Sequence, residues 1–395
     1  MPPALAAVQQ ALADDDLDGW LLYDFHGLNP IAQRLAALEG RHVTRRWFYF
    51  IPRIGTPRRL VHAIEPRTLD HLPGDTHLYA SRQELERGLA AVLAGARRVA
   101  MEYSPRCAIP YVSRVDAGTV DLVRACGVEV VSSGDLVGRF EASWTDGQIA
   151  SHRRASAALY RIKDLTFHWI GAQLDAGVPL RELEIQARMK AWFDDEGLVT
   201  DAGPIVAVQE HAGDPHYAPN PESSRLVQPG DLVLIDLWGK TTEPGAVYAD
   251  ITWTGVAGRP TPEMDAVFRV VAEARDAAIA RVVDAVRSGE PIRGWQVDRA
   301  AREVIEGAGY GRHFVHRTGH SLGPDVHGTG AHIDDYETRD ERRLLPGTGF
   351  TIEPGIYLAA FGIRSEVNMV VGPDDATVSG PCQTGLVRLG SRPGA

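Results

Sequence analysis

Cysteine is scarce in this chain, and the few cysteines are far apart. The 395 residues include three, Cys107, Cys126 and Cys382. No CxxC pair is present and the number is odd, so the sequence indicates neither a thiolate zinc site nor a disulfide framework. We expect three reduced, structural thiols, as in a cytoplasmic protein.

Long apolar runs and an apolar leader are also missing. No uninterrupted apolar stretch reaches the ~20 residues that a membrane span needs. Residues 1–20 contain no basic segment followed by an apolar one, so no signal peptide is predicted. These absences predict a cytoplasmic localisation and no membrane partner.

Positive charge is in deficit. The net charge is −11 and the isoelectric point is about 5.7, which argues against nucleic acid or an anionic membrane as a partner. Hydrophobic content of 44% and charged content of 24% are ordinary for a globular protein. The length predicts two domains.

The first part of the chain alternates short apolar runs with helical stretches and has no glycine-rich phosphate loop. This alternation predicts an α/β domain with a mixed sheet over residues 1–143. Its few clustered polar groups favour a role in packing and dimerisation. The candidate strands are Gly19–Phe25, Trp47–Ile51, Arg59–Ile64, Val99–Tyr103 and Val128–Ser132, and two of the candidate helices are Ser81–Ala94 and Asp116–Cys126.

A second domain is predicted over residues 144–395. Thr145 and Gln148 have the spacing of a capping box that opens a long helix. Further helical patterns cover 180–193, 267–282 and 292–307. The apolar runs that follow predict strands at Leu232–Leu237, Val247–Trp253, Phe350–Tyr357 and Gly362–Val371.

Four acidic residues lie in or beside these predicted strands. Asp236 and Asp250 are fourteen residues apart, and Glu353 and Glu366 are thirteen apart, each pair separated by turn residues. Each residue alone is as well explained by a turn or a surface salt bridge. Four carboxylates beside apolar runs make this explanation much weaker, because buried charges must be paired or bound to metal.

A histidine-rich segment, HRTGHSLGPDVH, lies between the two acidic pairs. It contains His316, His320 and His327, with Gly319 and Gly323 allowing close backbone approach. Four carboxylates and one imidazole, His320, form a mostly hard, oxygen-rich ligand set. Such a set suits Mn²⁺, Co²⁺ or Zn²⁺ and suggests a two-metal hydrolase.

With these motifs in this order, the sequence resembles the pita-bread metallopeptidases: Xaa-Pro aminopeptidases, prolidases and methionine aminopeptidase, with creatinase as a non-metal relative. The motifs are Asp236 with YADIT, the histidine segment, TIEPGIY and GIRSE. The resemblance is close over roughly 145–390. It implies an α+β protein with a C-terminal pita-bread catalytic domain and an N-terminal α/β creatinase-like domain, assembled as a homodimer.

The resemblance also implies roles for the ligands. Asp236 would bind the first of two divalent metal ions, His320 and Glu353 the second, and Asp250 and Glu366 would bridge both. Mn²⁺ is the expected metal, with Zn²⁺ or Co²⁺ as alternatives. A water or hydroxide between the ions would attack the peptide bond, and Glu353 would carry the proton.

Four further residues match substrate-binding positions of the family. His316 and His327 would bind the substrate and steady the tetrahedral intermediate, and His216 would lie near the scissile bond. Arg364 would orient a bridging carboxylate or pair with a substrate carboxylate. His216, Tyr217 and Tyr357 would line a pocket for a proline ring, whose tertiary amide has no N–H.

Three departures from the family pattern are visible. The two aspartates are commonly eleven residues apart rather than fourteen, Trp253 stands where an arginine is frequent, and Val367 stands where an acidic residue is frequent. None of these changes removes a ligand. They predict a substrate preference specific to this chain, with the longer loop between the aspartates as its origin.

Three functions remain open on the sequence alone. The compact size favours an Xaa-Pro dipeptidase acting on a small peptide substrate. An Xaa-Pro aminopeptidase acting on longer peptides is the alternative, and it would need a more open cleft. A non-catalytic peptide-binding module on the same fold is a third possibility, although such modules usually lose metal ligands and all five are present here.

Overall fold

The computed structural model describes residues 2–390. It divides into two compact units, one ending at Ala142 and the other beginning at Ser143. The division lies one residue from the boundary predicted between 143 and 144. None of the described helices combines the length and the apolar character needed to cross a membrane.

The N-terminal unit is built on a mixed six-stranded sheet flanked by helices, as the alternation predicts. The strand order is β4-β3-β2-β1-β5-β6, with β1–β2 and β2–β3 antiparallel and the other pairs parallel. The elements are α1 (Leu5–Asp14), β1 (Gly19–Asp24), α2 (Pro30–Leu35), β2 (Trp47–Pro52), β3 (Arg58–His62), β4 (Asp75–Tyr79), α3 (Arg82–Val92), β5 (Arg98–Met101), α4 (Ala117–Arg124), β6 (Glu129–Ser132) and α5 (Gly134–Phe140).

Both faces of this sheet are covered, which explains why its strands are apolar runs. In β1, Trp20 and Leu22 join one hydrophobic cluster while Leu21 and Tyr23 join the cluster on the other face. Successive side chains of a strand point to opposite faces, so a sheet buried on both sides needs apolar residues at every position.

In the described part of the C-terminal unit, four long helices accompany two largely antiparallel β-structures that hold the candidate site. The helices are α6 (Asp146–Ala176), α7 (Glu182–Asp195), α8 (Pro262–Ser288) and α9 (Gly294–Gly307). The strands are β7 (Leu198–Val199), β8 (Ile205–Val208), β9 (Leu232–Thr241), β10 (Ala249–Ala257), β11 (Ser321–Leu322), β12 (Gly349–Ile352), β13 (Gly355–Tyr357), β14 (Gly362–Arg364), β15 (Val367–Val371), β16 (Ala376–Val378) and β17 (Val387–Leu389).

The long helices begin and end at residues that satisfy their free backbone groups. The predicted capping box is present at α6, where Thr145 and Gln148 bond each other's backbone N–H. Gly177 and Gly289 end α6 and α8 with φ of 72°, a left-handed conformation that glycine adopts without steric cost. These residues define where α6 and α8 end.

The strands of this unit form two sheets and a short ribbon. The first sheet has the order β17-β10-β9-β7, with β8 also paired to β9, and the second has the order β11-β12-β15-β16. Strands β13 and β14 pair only with each other. The same sequence of two helices followed by a β-hairpin therefore occurs twice, as α6–α7 with β9–β10 and as α8–α9 with β12–β15.

Candidate metal centre

The first acidic pair lies on one face of the β9–β10 hairpin. In its antiparallel register Asp236 is opposite Thr252, and Asp250 is opposite Trp238. Because side chains two residues apart on a strand share a face, both carboxylates and the Thr252 hydroxyl point the same way. The predicted proximity of the two aspartates therefore follows from the strand pairing.

The second acidic pair lies at breaks between strands, and here the predicted strands were too long. Phe350–Tyr357 is divided into β12 and β13 at Glu353, and Gly362–Val371 is divided into β14 and β15 at Glu366. The cause is backbone bonding outside the ladder. Glu353 N–H donates to Thr318 O at 2.7 Å, and Glu366 N–H donates to Thr252 O at 3.1 Å.

His320 brings an imidazole to the same place. Its Nε2 lies 3.5 Å from Asp250 Oδ2 and 3.6 Å from Glu353 Oε1. Its Nδ1 lies 3.2 Å from the carbonyl oxygen of Ser321, which requires the proton on Nδ1 and leaves Nε2 as the free lone pair. Donor atoms of Asp250, His320 and Glu366 all lie within 4.8 Å of one another, a spacing suited to a shared cation.

Unpaired oxygens in this cluster fit a bound cation. Asp236 Oδ1, Asp250 Oδ1 and Glu366 Oε1 are buried and accept no hydrogen bond from the described residues. Buried carboxylate oxygens rarely lack a partner, because leaving one unpaired costs about 1–3 kcal/mol or more. Oxygen ligands with one imidazole are the donors that Mn²⁺, Zn²⁺ and Co²⁺ accept.

The burial and crowding of these groups raise the pKa values of the carboxyls, a shift that a bound cation would reverse. Burial, followed by the charges of Glu366 and Asp236, raises the pKa of Asp250 well above its ordinary value. Burial raises the pKa of Glu353 to about 7. Burial, followed by the neighbouring His327, lowers the pKa of His320 well below its ordinary value. A divalent ion at the centre would favour the anionic carboxylates and the neutral imidazole.

Arg364 links the acidic pairs from the two β-structures. Its Nη2 donates to Asp236 Oδ2 at 2.5 Å, and its Nε donates to Thr252 Oγ1 at 2.9 Å. The Thr252 hydroxyl in turn donates to Glu366 Oε2 at 2.7 Å. These contacts favour the orienting role among the two that the sequence left open for this arginine, since the guanidinium is already bound to protein oxygens.

Tyr357 and His316 continue this chain of hydrogen bonds. Arg364 Nη1 lies 3.2 Å from the Tyr357 hydroxyl, and His316 Nε2 lies 2.7 Å from it. Because His316 Nδ1 donates to Arg317 O at 2.6 Å, its Nε2 is the acceptor of the Tyr357 O–H. Burial lowers the pKa of His316 to about 3, so the ring is neutral.

The other two predicted histidines stand differently in the site. The His327 ring packs edge-on against His320, with centroids 4.4 Å apart. The His216 side chain is exposed, and no hydrogen bond joins its imidazole to the metal ligands in residues 2–390. Its backbone is nevertheless next to the cluster, because Arg364 Nη1 donates to Pro215 O at 3.4 Å. The structure thus brings His316, His320 and His327 together and leaves His216 at the edge.

Sequence reasoning missed Glu182, which holds the segment that carries His216. Its fully buried carboxylate accepts from Val208 N, His211 Nδ1, Tyr217 Oη and Arg225 N at 2.6 to 2.9 Å. The Tyr217 hydroxyl is therefore bonded to Glu182 and is not free to bind a ligand.

Asn368 is a second residue without a sequence signal. Its side-chain amide clamps the backbone of Asp250, accepting from Asp250 N at 3.0 Å and donating to Asp250 O at 2.5 Å. This clamp joins the β9–β10 hairpin to β15. It holds one candidate ligand by its main chain, so the carboxylate is positioned without using its own oxygens.

Comparison with known proteins places this geometry in a family. The model of metallopeptidase family M24 matches residues 150–373, more than half of the chain and a range that contains all five candidate ligands. A probable dipeptidase PepE of Mycobacterium tuberculosis is 32% identical over 269 residues, covering 67% of this chain and 66% of the relative, slightly less than two thirds of its length. An Xaa-Pro dipeptidase of Lactobacillus delbrueckii subsp. lactis is 31% identical over 233 residues, covering 59% and 58%.

A solved structure extends the likeness to nearly the whole chain. The crystal structure of dipeptidase PepE from Mycobacterium ulcerans superposes with a TM-score of 0.69 at 26% identity, covering 98% of this chain and 97% of that one. The predicted α+β class, with an N-terminal α/β domain and a C-terminal pita-bread domain, is confirmed. Because the family model matches more than half of its residues, the chain belongs to metallopeptidase family M24.

Proposed function

We propose that this chain hydrolyses Xaa-Pro dipeptides with the help of two divalent metal ions, of which Mn²⁺ is the expected one and Zn²⁺ or Co²⁺ the alternatives. The observation that carries the proposal is the convergence of five side chains, those of Asp236, Asp250, His320, Glu353 and Glu366. Three of their buried carboxylate oxygens accept no hydrogen bond from the described residues. The names of the relatives, dipeptidase and Xaa-Pro dipeptidase, support the substrate class.

The ligands divide by position. Asp250 and Glu366 are proposed as the bridging carboxylates, because each has an unpaired oxygen and both lie within reach of His320. Asp236, on the Arg364 side, is proposed for the first ion, and His320 with Glu353 for the second. Such a pair of ions, when bound, polarises a carbonyl and makes water a nucleophile at neutral pH.

The protein's own groups handle the proton and the substrate. Glu353 is proposed as the proton carrier, since its side chain is 15% exposed whereas that of Asp250 is 9% exposed. The Thr351 hydroxyl donates to Glu353 Oε1 at 3.0 Å and fixes the carboxylate. A partly accessible, oriented carboxylate can take a proton from the nucleophile and give it to the leaving nitrogen.

Substrate binding is proposed for His216, His316, His327 and Tyr357, and Arg364 is proposed to orient the groups beside them. The neutral His316 and the Tyr357 hydroxyl offer one hydrogen-bonded unit at the ligand cluster, and Arg364 supplies the positive charge beside it. A prolyl nitrogen leaves as a secondary amine and has no N–H in the substrate. Recognition must therefore use the carbonyl, the terminal groups and the ring, for which imidazoles and a tyrosine are suitable.

The test compares Leu-Pro with Leu-Pro-Gly as substrates of metal-depleted protein supplied with Mn²⁺, Zn²⁺ or Co²⁺. We expect metal-dependent release of proline from the dipeptide and much weaker turnover of the tripeptide. Asp250→Asn and Glu366→Gln should abolish turnover, while Asp374→Asn, which changes an exposed acid of the same unit, should not.

Each contrary outcome has a definite meaning. Turnover confined to the tripeptide would identify an aminopeptidase acting on longer peptides. Full activity of either ligand variant would contradict the bridging roles. Tight metal and peptide binding without hydrolysis of either substrate would identify a binding module.

A further inference from the structure

A bulge in the first sheet lies directly beside the candidate metal centre. Along one edge of β9, Val199 of β7 pairs with Lys240, and Ile205 of β8 pairs with Asp236. The five residues 200–204 therefore face only the three residues 237–239. Bulges of this kind redirect side chains and are common next to active sites.

The bulge carries Asp201 to the side chain of Trp238. The indole Nε1 donates to Asp201 Oδ1 at 2.6 Å. Trp238 is the cross-strand partner of Asp250 and, two residues after Asp236, lies on the same face of β9 as that ligand. The Trp238–Asp201 pair thus extends the wall of the site outward from the two aspartates.

The carboxylate of Asp201 has no cationic partner in the described part of the chain. It is solvent-exposed, and its one hydrogen bond comes from the neutral indole. The nearby Lys240 is engaged elsewhere, since its Nζ donates to Pro324 O at 2.5 Å and lies 4.8 Å from the Tyr248 ring centroid. Among the described residues, the negative charge of Asp201 is therefore not neutralised by an ion pair.

The segment that carries His327 lies against the same end of the hairpin. Lys240, two residues after Trp238 on β9, donates to Pro324 O at 2.5 Å, and Tyr248 N–H donates to Gly323 O at 3.0 Å. Trp238 and Tyr248 therefore lie near the segment that carries His327, the histidine that packs on His320.

We propose that Asp201, held by Trp238, is a specificity residue that binds the cationic side chain of a substrate whose first residue is lysine or arginine. The inference rests on the proposed dipeptidase function and names its substrate class. An aromatic wall ending in a carboxylate suits a long apolar stem that ends in a cation.

The side chain of the substrate is the better partner for Asp201 than its amino terminus. Four carboxylates already converge at the metal centre, next to the bond to be cleaved, where the amino terminus of a dipeptide must lie. Asp201 lies farther along the hairpin, beyond Asp236 and beside Trp238. A carboxylate at this position is within reach of an extended side chain of the first residue rather than of the amino terminus.

The experiment compares Lys-Pro with norleucyl-proline, which has a neutral side chain of similar length. In the wild type we expect kcat/KM to be about tenfold higher for Lys-Pro, the effect of one partly exposed charged hydrogen bond. Asp201→Asn keeps an oxygen for the Trp238 indole and removes the charge. This variant should lose the preference for Lys-Pro and keep the activity on norleucyl-proline.

A matched control and a binding measurement complete the test. Asp195→Asn removes an equal exposed charge at the end of α7 and should leave the preference intact. Calorimetry with reduced-amide analogues of both dipeptides, on metal-free protein, should show the same preference in Kd. If the analogues are discriminated but neither dipeptide is hydrolysed, the proposed function fails and the role of Asp201 stands.

Three results would overturn the inference. They are equal kcat/KM and Kd for the two side chains in the wild type, an equal effect of Asp201→Asn on both, and no binding of either analogue. A loss of preference in the Asp195 control would show a general effect of surface charge, which also contradicts a direct contact by Asp201.

Discussion

Thr252 joins two charged groups that come from different parts of the chain. Its hydroxyl accepts from Arg364 Nε and donates to Glu366 Oε2, using both of its hydrogen-bonding functions in a fully buried position. It is also directly opposite Asp236 in the hairpin. A single side chain therefore sets the relative position of a candidate bridging carboxylate and the arginine that holds another ligand.

Thr252→Val tests this role with almost no change in shape. A buried guanidinium N–H would lose its acceptor and Glu366 its donor, so we expect a loss of about 1–3 kcal/mol in unfolding free energy. The affinity for Mn²⁺ should fall as well, because Glu366 is no longer oriented. Urea unfolding and metal titration measure the two effects, and Thr377→Val, at an exposed strand position, is the control. Unchanged stability and metal affinity would contradict the role.

His152 is a buried histidine of the same unit whose effect on stability depends on pH. Its Nδ1 donates to Tyr248 O at 2.8 Å and its Nε2 lies 2.8 Å from Ser379 Oγ. Burial lowers the pKa of His152 to about 4, from 6.5 in the unfolded chain. Between these values the unfolded chain binds a proton that the folded chain does not, so stability falls as the pH decreases from 6.5 to 4.

The corresponding experiment compares the wild type with His152→Asn by urea unfolding at pH 5 and pH 7. The wild type should lose up to about 1.4 kcal/mol more per pH unit in this window than the variant, the value for one proton. The variant is expected to be less stable at pH 7, since it removes packed ring atoms. Identical pH slopes would show that His152 is not buried in its neutral form.

At the scale of the elements, two of the four candidate carboxylate ligands lie where a strand is interrupted, whereas Asp236 and Asp250 lie within continuous strands. Glu353 and Glu366 leave the ladder of the second sheet and bond to Thr318 and Thr252. A continuous strand would turn alternate side chains away from the cluster, whereas a break lets a carboxylate be aimed independently. These interruptions are thus part of the candidate metal centre.

Gly319 shows how closely the segment of His320 packs on β12. A Cβ at this position would lie 2.0 Å from Thr351 O, a distance that real Cβ atoms do not adopt. Gly319→Ala should therefore displace His320, costing about 1–3 kcal/mol in stability and weakening metal binding. Thermal unfolding and Mn²⁺ titration measure both, with Gly385→Ala, in open space, as the control. A variant that binds metal as the wild type does would contradict this packing.

The elements that the sequence predicted are those with strong local signals. The capping box at Thr145 placed the start of α6 within one residue, and the apolar runs located β1, β2 and β9. Strand β4 was missed because Asp75–Tyr79 is polar at three of five positions and forms by parallel pairing with β3. The information that makes this segment a strand therefore lies in its partner β3 and not in its own residues.

The candidate ligands were predictable for a similar reason, and their supports were not. A carboxylate beside an apolar run is visible in the sequence, as is a histidine between glycines. The contact of Arg364 with Asp236 and the clamp of Asn368 on Asp250 join residues 128 and 118 positions apart. Nothing in the local pattern of residues indicates such contacts, because they exist only after the two β-structures meet.

For the whole molecule, metal binding should be a source of stability. The ligands are brought together only in the folded state, so ions that bind there stabilise it by RT ln(1 + [L]/Kd), about 2.7 kcal/mol at a concentration of 100 Kd. Differential scanning fluorimetry of metal-depleted protein should show a higher Tm when Mn²⁺ is added. Glu366→Gln should lose the shift and Asp374→Asn should keep it. A shift of equal size in the Glu366 variant would place the stabilising ion elsewhere.

The repeated order of two helices and a hairpin has a consequence for the time course of folding. Each hairpin supplies one acidic pair and can form early, because its strands are close in sequence. The bonds that unite the pairs, such as Thr252 with Glu366, span 114 residues and must close a long loop. We therefore expect refolding chains to regain their secondary structure before they regain the ability to bind metal. The candidate metal centre should therefore be among the last features of the molecule to form.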